Sequence, residues 1–294
     1  MPPRPPTAAH RRRARLPAAG LIVLALAAAA CSGPSSSRSS GDAAAQATTT
    51  TTAALQPLEQ PASRCGTATT KAILVRFQAA DGTSLNGVLV GKGPAGVVLA
   101  HQYPSDLCGF WPYATYLAKR GLRAFAIDLR CFGRSACPQG DAKGRVVDDL
   151  AAAVAELRRR GVTRVGLVGA SMGGAAVLIA GTKVKPPVAA VVSLSGEPDP
   201  TNLVGGIPLN AGAVVDQLTV PTMFVVATHD NYASVAETRA MYRAVKAGDK
   251  RLEVLSGDFD GLNGWALLGN PATGAEFGPV AAKVAAFLTA HSRG

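Results

Sequence analysis

Gly169-Ala170-Ser171-Met172-Gly173 is the stretch whose reading decides the fold. It has the form Gly-x-Ser-x-Gly. Ahead of it, Arg164-Val165-Gly166-Leu167-Val168 is a short, β-rich apolar run. Behind it, Gly174 to Ala180 is small and apolar, which predicts a buried helix. A strand, a sharp turn and a helix are the setting in which such a serine becomes a nucleophile. Glycines are needed because the turn is strained and side chains would clash there. The turn lifts Ser171 Oγ off the sheet, and the new helix aims its free N–H groups at a developing oxyanion. In a chain with 32 glycines the bare pattern is weak evidence; its flanks give it weight.

Outward from this turn, strands and helices alternate. Ile73 to Phe77 and Leu85 to Val90 read as two strands around the turn Asp81-Gly82. Gly96 to Ala100 is a continuous apolar run, as a buried parallel strand should be. Phe110 to Arg120 reads as a helix closed by Gly121, and Arg123 to Ile127 as the next strand. Lys143 to Arg160 is a long amphipathic helix ended by Gly161. Val188 to Ser193, Thr222 to Ala227 and Arg251 to Leu255 supply further strands; Ala233 to Lys246 and Ala275 to His291 supply helices. This alternation implies a doubly wound, mostly parallel sheet of about eight strands. Its sites lie at the carboxyl ends of the strands. The interval between Ser193 and Thr222 is too short for a large lid.

The N-terminus is of another kind. Arg4, Arg11, Arg12, Arg13 and Arg15 form a basic region, Leu16 to Ala30 a short apolar one, and Cys31 follows. These are the flanks and length of a signal peptide, 1–30, rather than a spanning helix. Ala28-Ala29-Ala30-Cys31 resembles a bacterial lipobox, with Ala28 where Leu is usual. That resemblance implies cleavage before Cys31, lipidation of its thiol, and an exported protein held to the membrane through a lipid anchor. Residues 31–64, rich in Ser, Thr, Ala, Pro and Gln, bury too little to fold and read as a tether. The folded domain is then 65–294.

Much of the net charge of +11 comes from the basic N-terminus. The other cations are scattered with no aromatic-interleaved basic stripe, which argues against nucleic acid. Cys65, Cys108, Cys131 and Cys137 remain. An exported chain permits disulfides, and four cysteines allow three connectivities. Cys131–Cys137, closing a short loop, and Cys65–Cys108 are favoured. No spacing suggests a metal site, and no cofactor is called for.

The order of elements and three local matches resemble the α/β-hydrolase superfamily, most closely its compact dienelactone-hydrolase and esterase members, over about residues 70 to 290. His101-Gln102-Tyr103 follows the third strand, where the family often has His-Gly and builds half its oxyanion hole. Asp128-Leu129-Arg130-Cys131-Phe132-Gly133-Arg134-Ser135 resembles the family's Asp-x-Arg-Gly-x-Gly-x-Ser segment. Gly169 to Gly173 is the nucleophile elbow. The resemblance implies that Ser171 is the nucleophile. The Met172 N–H is one oxyanion donor and Gln102 or Tyr103 supplies another. Asp230 occupies the position of the triad acid, or caps the helix starting near Ala233. Glu197 and Asp199 are further candidate pocket acids. His101, Asp260 and Trp265 are candidates to line the pocket; Trp111 and Trp265 read first as core residues that could also reach it.

The third triad member is missing. The family's histidine follows the last strand, and Ser256 to Leu268 contains none. Aligning Gly264-Trp265-Ala266-Leu267-Leu268 with the family's run puts Asn263 in its place; a three-residue shift puts Asp260 there. Asparagine cannot take a proton, and an exposed aspartate is a weak base for a hydroxyl. His10 falls in the signal, and His291 lies far away by chain order. His229, oriented by Asp258 or Asp260, and His101 are the other candidate bases. The expectation is serine esterase-type acyl hydrolysis of a small ester with an atypical or missing base. The alternative is a hydrolase-fold lipoprotein that binds without turnover.

Overall fold

The computed structural model describes Cys65, 72–269 and 272–292; the signal, Cys31 lipidation and tether expected before Cys65 lie outside the described residues. All of these residues fall in the unit Leu55–Gly294. Eight strands form one sheet: β1 (Ala72–Gln78), β2 (Ser84–Val90), β3 (Ala95–Ala100), β4 (Arg123–Asp128), β5 (Arg164–Ala170), β6 (Ala190–Leu194), β7 (Thr222–Ala227) and β8 (Lys250–Leu255). Their order across the sheet is β1-β2-β4-β3-β5-β6-β7-β8. β2 is antiparallel to both neighbours and all later pairs are parallel.

Alternation along the strands explains two cores, one on each face of the sheet. Val98 and Leu167 face α2 (Val146–Arg159) and α3 (Met172–Lys183), meeting Leu150, Val154 and Leu178. Val97, Leu99 and Val168 face α1 (Trp111–Ala118) and α5 (Pro279–Ser292), meeting Tyr113, Leu117, Val284 and Phe287. α4 (Val235–Ala244) adds Met241 to the first of these cores. Between β6 and β7 the chain makes loops and the short 3-10 turn Val215–Gln217, so among the described residues this connection forms no lid domain over the carboxyl ends of the strands.

Several helix starts differ from expectation, each for a local reason. The helix expected from Lys143 begins at Val146, because Gly140–Gly144 forms a tighter 3-10 turn. The one expected from Ala275 begins at Pro279; a proline disfavours helical geometry in the residue before it. The one expected from Ala233 begins at Val235, since Ser234 is the N-cap and its hydroxyl accepts from Glu237 N. The strand expected from Val188 starts at Ala190.

Both favoured disulfides are present, Cys65–Cys108 and Cys131–Cys137. A buried ion cluster ties the loop after β4 to two other elements. Arg130 is fully buried; its Nε and Nη2 donate to Asp149 Oδ1 at 2.8 and 2.6 Å, and its Nη1 donates to Asp81 Oδ2 at 2.7 Å. That hydrogen bond holds the Asp81 carboxyl well below the usual carboxylate range.

Candidate active site

The elbow is built by contact. Ser171 has φ 47° and ψ −112°, backbone that a residue with a side chain adopts only under constraint. Its N–H donates to Leu194 O at 2.8 Å, and its carbonyl accepts from Ala175 N at 3.0 Å, which pins the turn between β6 and α3. A Cβ on Gly169 would strike the Gly173 carbonyl, and one on Gly173 the carbonyls of Ala100 and His101. α3 begins at Met172, so the Met172 N–H is one of its unpaired first donors.

The segment after β3 supplies the second wall. His101 is fully buried. Its Nε2 accepts from Leu129 N at 3.2 Å, so Nδ1 carries the proton and donates to Gln102 O at 2.9 Å. With both nitrogens occupied, His101 is a neutral strut between the loops after β3 and β4 and is unsuited to take the Ser171 proton. Gln102 turns its side chain toward the loop after β8, where Oε1 accepts from Trp265 N at 3.4 Å. Tyr103 is exposed and meets Phe132 edge-on, centroids 5.8 Å apart.

The loop after β8 completes the constellation. Gly264, at φ 61°, packs against Gln102 and Ala170, which brings its neighbour Asn263 to the elbow. Asn263 Nδ2 donates to Asp230 Oδ1 at 3.0 Å and to Oδ2 at 3.3 Å. Asp230 Oδ1 also accepts from Tyr232 N and Ala233 N at 2.9 and 3.0 Å. The cap of α4 is Ser234, so Asp230 is the acid of a turn after β7, bonded to Asn263 where the resemblance would put histidine. Trp265 lies across Gly109 and meets Phe110 edge-on at 5.6 Å.

The remaining candidates lie apart from this arrangement. His229, with φ 58°, is 78% exposed, and its Nδ1 faces Asp260 Oδ2 at 3.4 Å. The pair is turned to solvent. His291 Nε2 meets Asp249 at 2.9 Å, at the end of the sheet away from Ser171. Glu197 is 5% exposed beyond the end of β6. Burial pushes its carboxyl up to about 7, with repulsion from Asp230 and Glu237 adding to the shift. Its protonation therefore changes near neutral pH. Two buried hydroxyls beside it, Ser193 and Ser195, have no hydrogen-bond partner among the described residues.

The serine aminopeptidase family, S33, matches residues 92–208, from before β3 to beyond β6. The match includes the elbow and stops short of Asp230 and Asn263. The fold is that of the α/β-hydrolases. Solved structures agree on the fold. The esterase Pf2001 of Pyrococcus furiosus is similar at a TM-score of 0.63 and 17% identity, over 79% of this chain and 96% of that one. The α/β-hydrolase GrgF of Penicillium sp. sh18 is similar at a TM-score of 0.62 and 18% identity, over 76% and 99%. The monoacylglycerol lipase of Paleococcus ferrophilus is similar at a TM-score of 0.55 and 16% identity, over 70% and 99%. Within this site, the sequence did not announce the Gln102–Trp265 bond. The only available signal was glutamine in a position where the superfamily often has glycine.

Proposed function

We propose that the protein is an exported, lipid-anchored serine hydrolase of esterase type that turns over a small ester at Ser171 slowly, without an imidazole base. The observation that carries this reading is the Asn263–Asp230 hydrogen bond beside an intact elbow. Ser171 Oγ attacks the ester carbonyl carbon, and the oxyanion meets the N–H groups of Met172 and Gln102. The alkoxide then leaves and water hydrolyses the acyl-serine. The Oγ proton passes to water, because an amide cannot accept it. An oxyanion hole and binding alone leave roughly 10³- to 10⁴-fold catalysis over water, enough for activated esters and far too little for peptides. Similarity to proteins named as an esterase and a lipase supports the ester as substrate class. Two disulfides support an oxidising compartment, and the residues around Cys31 support the anchor.

A second reading, binding without turnover, is favoured by the same asparagine. A fluorophosphonate serine probe separates the two. It labels the wild type and not Ser171→Ala if the hydroxyl is reactive. A folded wild type that resists labelling overturns the hydrolase reading.

A further inference from the structure

The parallel strands give the domain two unlike ends. Ser171, Asp230 and Asn263 sit where the strands finish. At the opposite end the strands begin, the helices stop, and cations collect. α1 runs out into Lys119 and Arg120, α2 into Arg160, while β4 and β5 open on Arg123 and Arg164 beside Lys92. Cations at helix C-termini complement the helix dipole, and their bonding follows from that. Arg120 donates to Tyr116 O at 3.2 Å, Arg123 to Arg160 O at 2.7 Å and Arg164 to His291 O at 2.9 Å. These partners are neutral carbonyls, so the charge is not cancelled. Lys92 and Lys119 are exposed and meet no carboxylate among the described residues. Of the acids at this end, Glu156 is engaged by Arg159 and Arg160, and Asp249 by Arg251 and His291.

An apolar groove of about 730 Å³ opens at this end, on the β1–β2–β4 side of the sheet. Ile73, Leu89 and Val90 form its floor; Lys92, Lys119 and Arg123 stand at its rim. Ile73 is 55% exposed. A cationic rim over an apolar floor matches the boundary between anionic headgroups and acyl chains. A soluble polyanion would use the cations and leave the floor unused.

We propose that this basic end docks on an anionic lipid bilayer and holds the mouth at Ser171 away from it. Substrate is then drawn from the aqueous side and not from the bilayer. The docking does not depend on lipidation of Cys31.

The test is sedimentation of the full-length chain with phosphatidylcholine vesicles, with and without phosphatidylglycerol. Binding to phosphatidylcholine alone measures the N-terminal segment, and the gain on adding phosphatidylglycerol measures attraction to anionic lipid. Lys92→Gln with Lys119→Gln lowers that gain about thirtyfold, the effect of two cations at an anionic surface. Lys143→Gln with Arg145→Gln removes equal charge at the other end and lowers it less than about threefold, from the general fall in net charge. On the wild type, hydrogen exchange slows around 89–92 and 119–123 on anionic vesicles and is unchanged around 258–264. Equal losses from the two double variants, no gain with phosphatidylglycerol, or protection at 258–264 instead would overturn the proposal.

Discussion

Replacing Asn263 by histidine puts an imidazole where an amide already points at Asp230. Asparagine Nδ2 and histidine Nδ1 both lie two bonds beyond Cβ. The imidazole Nδ1–H can therefore make the bond that Nδ2 makes at 3.0 Å, leaving Nε2 free on the far side of the ring to act as base. A positioned general base contributes roughly 10²- to 10⁴-fold, about 3–5 kcal/mol of barrier. The assay is kcat/KM on p-nitrophenyl acetate for the wild type, Asn263→His, Ser171→Ala and the double variant. Asn263→His should exceed the wild type by 10²-fold or more, and Ser171→Ala should erase the gain. The new rate has its own pH signature. The base works as neutral imidazole, so activity holds at high pH and falls away below the imidazole pKa. Asp230 stabilises the imidazolium and moves that fall above the ordinary value of about 6.5. Two results would refute the reasoning. One is no gain although a crystal structure of the variant shows the imidazole on Asp230, which would mean the elbow and oxyanion donors are not competent. The other is a wild type already turning over near 10 s⁻¹, the typical enzyme value, which would mean another base is at work.

Glu197 and Arg130 give independent checks on the site and its scaffold. The Glu197 carboxyl rises from 4.5 to about 7 in the folded protein. A raised acid stabilises the fold while protonated, so its contribution is fully present below about 4.5 and is lost as pH climbs to about 7. The shift corresponds to about 3 kcal/mol, and to about 2 with partial solvent screening. Glu197→Gln should match the wild type near pH 4 and exceed it by about 2 kcal/mol at pH 8 in urea unfolding; a difference constant with pH would exclude the shift. Arg130→Met leaves Asp149 buried and unpaired and should cost about 3–5 kcal/mol by thermal denaturation. Adding Asp149→Leu should recover much of that loss, and a cost below about 1 kcal/mol would mean the cluster is not what ties the β4 loop down.

What the sequence made legible, and what it did not, follows from the range of each interaction. Gly169 and Gly173 could be read because their requirement is local: each faces backbone within the turn or on the adjacent strand. The strands could be read because burial on both faces leaves unbroken apolar runs such as Val97 to Ala100. Asn263 could be placed because Gly264 and Trp265 follow it in a recognisable run. The Asp81–Arg130–Asp149 cluster could not be read. Its three members come from separate segments, and a charged side chain carries no mark of burial in its own neighbourhood. The Gln102–Trp265 bond joins residues 163 positions apart and has no periodic signature. Helix starts moved where a cap or a proline acted at single-residue range, as at Ser234 and Pro279.

The missing imidazole and the basic far end bear on one another. In a complete triad the histidine takes the proton and its cation offsets the acid beside it. Here Asn263 offsets Asp230 only with an amide dipole, and Glu197 adds a second carboxyl that ionises near neutral pH. Asp258 and Asp260 extend the same sign along the exposed loop after β8. Acidic groups at the mouth and cations at the opposite end give the domain a charge axis along its strands. Such a field orients a molecule before contact and acts within about one Debye length of an anionic surface. It also bears on what can approach Ser171: an anionic ester should be repelled by the same carboxyls, whose charge the asparagine does not cancel. On the proposed reading, a site without a base, whose leaving group must depart unaided, should favour neutral or cationic esters with good leaving groups. Restoring histidine at 263 should widen the range of leaving groups and leave the preference for charge unchanged, because that preference belongs to Glu197 and the outer aspartates and not to the triad.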